Sequence, residues 1–144
     1  MQRSQRIPVL GLAIALLLFF SSARAGEKPM MKAVVAHEYG APEVLKFEEV
    51  PRPEPSEDEA LVRVIASAVN PADPLTLSGK YAREFGTHLP LIPGYDIAGV
   101  VEKTGANVTK LKVGDAVYGY PTFGGGWADY VTVKESEVAK KPRS

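Results

Sequence analysis

The sequence predicts a small domain that is mostly β, either a β-barrel or a β-sandwich, with only short helical turns. Three observations carry this prediction. Short runs rich in Val, Ile and Ala recur along the chain, 13 Gly and 12 Pro separate them, and almost no segment shows helical periodicity. A length of 144 residues leaves room for one ordinary domain.

The first 25 residues predict a secretory signal peptide. Arg3 and Arg6 supply positive charge, residues 7–20 form an uncharged apolar stretch, and a small-x-small pattern predicts cleavage after Ala25. The apolar stretch is short for a membrane span, which needs about 20 residues. An uncleaved anchor is the alternative. Cleavage predicts a periplasmic or secreted protein that has no contact with the membrane afterwards.

The predicted leader is followed by a polar lead-in, residues 26–30, and by a folded domain over residues 31–144. Translation from Met30 or Met31 would remove the leader and make the protein cytoplasmic. The acidic and basic residues balance over the whole chain, so nothing indicates nucleic acid as a partner. Cysteine is absent, which excludes disulfides, thiolate nucleophiles and cysteine-bound zinc.

The N-terminal half of the domain predicts three strands. A first strand covers residues 31–35 and a second residues 44–50, before a proline-rich, extended connection over residues 51–55. Residues 60–69 contain one charge among Val, Ile and Ala and predict a long, mostly buried strand. Two closely spaced prolines end that strand.

A short helical turn over residues 73–78, closed by Gly79, and an irregular loop over residues 81–91 are predicted next. The remaining predicted strands are residues 97–102, 116–120, 127–133 and 138–140. The glycine turn Gly124–Gly126 separates two of them.

Four segments, in this order, resemble the GroES-like domain of zinc-independent quinone oxidoreductases and zeta-crystallins, within the medium-chain dehydrogenase/reductase superfamily. They are MKAVVAHEYGAPEVLKFEEVPRPEP from Met31, LVRVIASAVNPAD from Leu61, PGYDIAGVVEKTGANVTKLKVGDAVYG from Pro93 and GGGWADYVTV from Gly124. The resemblance covers nearly all of the chain after the leader. It implies a partly open GroES-like β-barrel with short helical turns.

The resemblance also bears on zinc. Alcohol dehydrogenases of this superfamily carry a cysteine where Asn70 stands, a His–Glu pair where Tyr95 and Asp96 stand, and a four-cysteine lobe. A catalytic zinc ion needs three protein ligands, and the two histidines, His37 and His88, fall in different parts of the chain. The comparison implies the zinc-independent branch, with no metal site.

In that branch, residues at the positions of Asn70, Asp73 and Tyr81 face a cleft near the nicotinamide of NADPH and a quinone or enone substrate. Each has a structural alternative: an Asx turn for Asn70, helix capping for Asp73 and loop packing for Tyr81. Many family members have an aromatic residue where Leu75 stands, so the family's cofactor contacts are only partly present.

The sequence contains no Gly-rich turn between a strand and a helix, the mark of a Rossmann domain. The expectation is therefore the catalytic-domain portion of an NADPH-dependent quinone-reductase-like oxidoreductase, inactive alone and with no catalytic residue assigned. A separate Rossmann-domain chain or self-association would complete it. The alternative is an exported, stand-alone GroES-like binding or interaction module without catalytic activity.

Overall fold

The structure is a computed structural model that describes residues 28–81, 84, 86 and 88–142. The predicted leader, with its cleavage site after Ala25, lies outside the described residues. Residues 82, 83, 85 and 87 of the predicted loop lie outside them as well.

Strands dominate the described chain, which confirms the mostly-β prediction. The strands are β1 (Met30–Ala36), β2 (Leu45–Pro51), β3 (Glu59–Ala68), β4 (Asp96–Thr104), β5 (Ala116–Gly119), β6 (Tyr130–Lys134) and β7 (Val138–Lys140). One short helix, α1 (Ala72–Leu77), and two 3-10 turns, Pro42–Val44 and Glu135–Glu137, complete the elements of the described residues. None of the helices in this part of the chain has the length and apolarity to cross a bilayer.

The strands form two antiparallel sheets that stay open rather than closing into a barrel. β1 and β2 make a hairpin, and the other sheet has the order β6-β3-β4-β5-β7. Residues 127–129 connect the two sheets. The Val34 N–H donates to the Trp127 carbonyl at 2.8 Å, the Asp129 N–H donates to the Lys32 carbonyl at 2.9 Å, and the Val64 N–H donates to the Asp129 carbonyl at 2.9 Å. These bonds hold the hairpin against the larger sheet.

The main core cluster is built from aliphatic side chains of the larger sheet and of one loop residue. It consists of Ala60, Val62, Ile97, Val101, Leu111, Val117, Val131 and Val133, each at most 6% exposed. β-branched residues suit a pleated, half-buried surface, which explains the Val-rich composition of these strands.

β3 is buried only over its first half, so the prediction of a long, mostly buried strand was wrong for the second half. Residues 60–62 are fully buried, whereas Ile65 is 65% exposed and Val69, just past the strand, is 77% exposed. β3 pairs with β6 only from Glu59 to Arg63 and with β4 alone beyond that point. Without a second neighbouring strand, the end of β3 faces solvent.

A half-buried glutamate of the second 3-10 turn holds a distant loop in place. One oxygen of Glu135 accepts the backbone N–H groups of Lys110, of Thr109 at 2.7 Å and of Leu111 at 3.2 Å. The Lys110 bond is the largest of the effects that keep the pKa of this carboxyl below its usual range, ahead of the other two backbone bonds and the positive charge of Lys110. The charged form of Glu135 is therefore favoured in the folded state.

We predict that Glu135→Gln lowers the melting temperature at pH 7 and that the difference from the wild type shrinks as pH falls. A depressed pKa gives stability that is present above about pH 4.3, the ordinary value of a glutamate, and is lost as pH falls through the folded-state pKa. Thermal unfolding between pH 7 and pH 3 measures this. Glu38→Gln, an exposed glutamate in the turn after β1, is the control. A difference in melting temperature between Glu135→Gln and the wild type that does not change with pH contradicts the lowered pKa of Glu135.

Candidate functional site

The chain makes a tight turn where β3 ends, and Asn70 organises this turn. Its side-chain oxygen accepts the Ala72 N–H at 2.9 Å, which is an Asx turn, and its carbonyl accepts the Asp73 N–H at 2.9 Å. Pro71 and Pro74 restrict the backbone on either side of Ala72. The strand therefore ends here and α1 begins.

Asp73 lies beneath this turn and is only 2% exposed. One of its oxygens accepts the Asn70 N–H at 2.7 Å and the other accepts the Gly94 N–H at 2.7 Å. Gly94 has φ +102°, and a side chain there would meet Trp127 at 2.5 Å. Asp73 thus ties the turn to the segment that leads into β4. Pro71 holds the N-cap position of α1, so Asp73 does not serve as the cap residue.

The Asn70 amide is also bonded to the first residue of β4. Its nitrogen donates to a carboxylate oxygen of Asp96 at 2.9 Å. Ser67 in turn donates its hydroxyl hydrogen to the Asp96 carbonyl at 2.8 Å. The Asn70 oxygen and one of its two N–H groups are therefore engaged, and among the described residues no partner is recorded for the second N–H. Toward a ligand, this amide is a hydrogen-bond donor.

Two stacked tyrosines stand next to this pair. The Tyr95 ring is 3% exposed, bonds Thr76 through its hydroxyl at 2.7 Å and stacks on Tyr120 at a centroid distance of 5.1 Å. Burial raises the pKa of both phenols, and the neighbouring Tyr81 adds to the rise of each. Both rings are therefore neutral phenols at physiological pH, and Tyr120, 44% exposed, presents its ring to solvent.

The structure thus brings one cluster together, which we call the cleft cluster: Asn70, Tyr81, Tyr95, Asp96 and Tyr120. Asn70, Asp73 and Tyr81 were predicted from the sequence as cleft residues. Asp73 supports the cluster from below, since both its oxygens are bonded to backbone. Sequence reasoning missed Asp96, Tyr95 and Tyr120 as site residues, although the replacement of a His–Glu pair by Tyr95 and Asp96 was a signal that could have found two of them.

A groove of substantial size lies elsewhere. It encloses about 310 Å³ between β1, β6 and the glycine turn, with Met31, Phe123 and Tyr130 in its lining, and it contains no residue of the cleft cluster. The Arg52 guanidinium lies 4.0 Å from the centroid of the Tyr130 ring. Size alone therefore does not identify the site, and the convergent polar groups at Asn70 do.

Metal-binding side chains are not clustered in the part of the chain that the structure describes. Within residues 28–81, 84, 86 and 88–142, no three His, Cys, Asp or Glu side chains lie close enough together to hold an ion. His37 follows β1 and contacts Glu48 at 2.8 Å, and His88 lies in the loop before β4.

The comparisons with known proteins all point to the same family. The family model described as "Alcohol dehydrogenase GroES-like domain" matches residues 56–143. The chain is 40% identical to the quinone oxidoreductase of Homo sapiens over 118 aligned residues. This alignment covers 81% of this chain and 35% of that protein. It is 42% identical over 123 residues to an NADPH-dependent alkenal/one oxidoreductase of Arabidopsis thaliana, which covers 79% and 32% respectively.

Solved structures of quinone oxidoreductases share the fold of this chain. The quinone oxidoreductase of Coxiella burnetii superposes with a TM-score of 0.72 at 31% identity, covering 80% of this chain and 38% of that one. The Escherichia coli quinone oxidoreductase complexed with NADPH gives a TM-score of 0.69 at 29% identity, covering 77% and 33%. The chain therefore spans about a third of the length of the relatives that it matches.

We predict that Asp73→Asn lowers the free energy of unfolding by about 1–3 kcal/mol, the cost of a buried polar group left without its partner. The amide keeps one acceptor oxygen, so the N–H of Asn70 or of Gly94 loses its bond. Urea unfolding measures the change. Glu57→Gln, at an exposed position, is the control and should unfold like the wild type. Equal stability of Asp73→Asn and the wild type would show that the two bonds do not hold the turn.

Proposed function

Because this chain belongs to the quinone oxidoreductase family of medium-chain dehydrogenases/reductases, through an alcohol dehydrogenase GroES-like domain, we propose a function within that chemistry. The chain forms the substrate side of an NADPH-dependent, zinc-independent oxidoreductase that reduces a quinone or an activated alkene. The observation that carries the proposal is the Asn70 amide, which Ala72 and Asp96 hold as a donor.

A donor at this position suits the substrate class. Quinones and enones present carbonyl oxygens, which accept hydrogen bonds and gain negative charge when a hydride adds to the conjugated system. A donor that is already oriented stabilises that charge without rearranging during the reaction. Asn70 supplies one such N–H, and we assign Tyr81 as a second, hydroxyl donor to the same oxygen. The exposed face of Tyr120 gives the flat ring a surface on which to stack.

NADPH supplies the hydride when it is bound. The residues present leave Asn70 with one unengaged N–H, which we assign to the substrate oxygen, so no donor of the cleft cluster is assigned to the nicotinamide amide. They do not include a pyrophosphate site, because the printed sequence has no Gly-rich turn between a strand and a helix. We therefore propose that a nucleotide-binding domain outside these 144 residues completes the cofactor site. The polypeptide of residues 1–144 would then be inactive alone.

A second candidate function is a binding or interaction module without catalysis. The observation that favours it is the exposed apolar surface at the end of β3, where Ile65 and Val69 face solvent beside small side chains. Apolar patches of this kind often mark contact surfaces. The same surface would serve contact with a nucleotide-binding domain or self-association under the first proposal.

The first proposal predicts separate results for cofactor and substrate. The purified 144-residue chain should show no saturable NADPH binding below the millimolar range in a fluorescence titration. In two-dimensional NMR, duroquinone should shift the Asn70 side-chain amide, and Asn70→Ala should weaken binding about three- to tenfold, the loss of one hydrogen bond.

Asn107→Ala is the matched control, because Asn107 is an exposed asparagine that bonds only the Asp58 side chain through its amide. It should bind duroquinone like the wild type. Equal weakening in both variants, or none in either, contradicts the role of Asn70. Micromolar NADPH binding contradicts the proposal that the nucleotide site lies outside these residues.

We also propose that the protein is exported and processed after Ala25, with a periplasmic or secreted product. Expression of the complete reading frame in a bacterial host should give a product whose N-terminal residue is Gly26, as measured by intact mass. Ala25→Gln, which removes the small residue at the cleavage site, should leave the leader attached. A wild-type product that starts at Met30 or Met31 overturns export.

A further inference from the structure

A second cavity lies beneath α1, separate from the cleft cluster. It encloses about 290 Å³. Its walls are the side chains of Leu45, Val69, Leu77 and Trp127 together with three prolines and Asp73. Leu77 is 4% exposed at the inner end, and Val69 is 77% exposed, so the cavity opens to solvent beside Val69. The volume is close to the lower limit of small-molecule sites, about 300 Å³.

The walls offer almost nothing to a polar molecule. Asp73 is the one charged group in the lining, and both of its oxygens already accept backbone N–H groups, from Asn70 and Gly94. The Trp127 indole N–H points to the Ala68 carbonyl at 3.4 Å. Water placed here would have few partners, and a cavity of that kind stays dry and takes up apolar molecules.

The shape of the walls favours a ring. The flat indole of Trp127 forms one wall, and the rigid rings of Pro42, Pro74 and Pro93 form others. Gly94 lies directly against the indole, since a side chain there would meet its ring at 2.5 Å, so the ring has little freedom to move away. A rigid apolar slot binds a flat ligand with little loss of conformational freedom on the protein side.

We propose that this cavity is a binding site for a neutral, apolar, one- or two-ring aromatic compound. Ring faces of such a ligand would pack against Trp127 and the prolines, and its edge against Leu45 and Leu77. A charged ligand is excluded, because the lining holds no free donor or acceptor to replace its water. The proposal does not rest on the reductase function, since it uses none of the residues of the cleft cluster.

The sequence provides its own probe, because Trp127 is the single tryptophan. We would titrate the purified full chain with toluene, which carries no carbonyl and does not test the quinone site, and follow the tryptophan emission. Toluene should change the emission saturably below its solubility limit. Val69→Phe places a ring at the mouth and should raise the apparent dissociation constant at least about tenfold.

Ile65→Phe is the matched control, since Ile65 is similarly exposed at 65% and does not line the cavity. It should bind toluene like the wild type. Circular dichroism checks that each variant is folded. Val69→Met, which fills less of the mouth than Val69→Phe, should give an intermediate loss of toluene affinity. An unchanged wild-type emission, or the same affinity in Val69→Phe and Ile65→Phe, overturns the proposal.

Discussion

One buried carboxylate determines how the functional end of this domain is assembled. Asp73, the second residue of α1, accepts an N–H from the turn that ends β3 and accepts another from Gly94 ahead of β4. The turn after β3 and the start of α1 are thereby held at a fixed spacing from the segment before β4, which lies 21 residues further along the chain. Asn70 can then reach Asp96, and Tyr95 can reach Thr76. The same carboxylate also forms part of the cavity beneath α1, where its saturated bonding leaves an apolar site.

Under the proposed function, the cleft cluster would polarise a carbonyl group without a zinc ion. An Asn–Asp pair occupies the positions where alcohol dehydrogenases of the superfamily carry metal ligands. A zinc ion polarises a carbonyl by direct coordination, whereas a fixed amide N–H does so by hydrogen bonding. Asp96 matters here because it uses one amide hydrogen and thereby sets the direction of the other. In this proposal, the orientation of a neutral hydrogen-bond donor takes the place of the charge of a metal ion.

Much of the fold could be predicted from the sequence, because alternating valines and glycine or proline breaks are local signals. The strands at residues 97–102 and 116–120 and the helical turn closed by Gly79 lie close to the observed elements. The exposed end of β3 could not be predicted, since exposure depends on where β6 stops pairing. Asp96, Tyr95 and Tyr120 were missed for the same reason, because their roles depend on contacts between distant parts of the chain. Asp96 bonds Asn70, and Tyr95 bonds Thr76, 19 or more residues away in each case. Tyr120 joins them only by stacking on Tyr95.

The bonds between β1 and residues 127–129 have a consequence for the order of assembly. Lys32 and Val34 find their partners almost a hundred positions later in the chain, so β1 cannot complete its backbone hydrogen bonds before residues 127–129 have been made. Domains dominated by such distant contacts have high contact order and fold slowly. The hairpin of β1 and β2 can therefore pair early, but its attachment to the larger sheet waits until residues 127–129 have been synthesised.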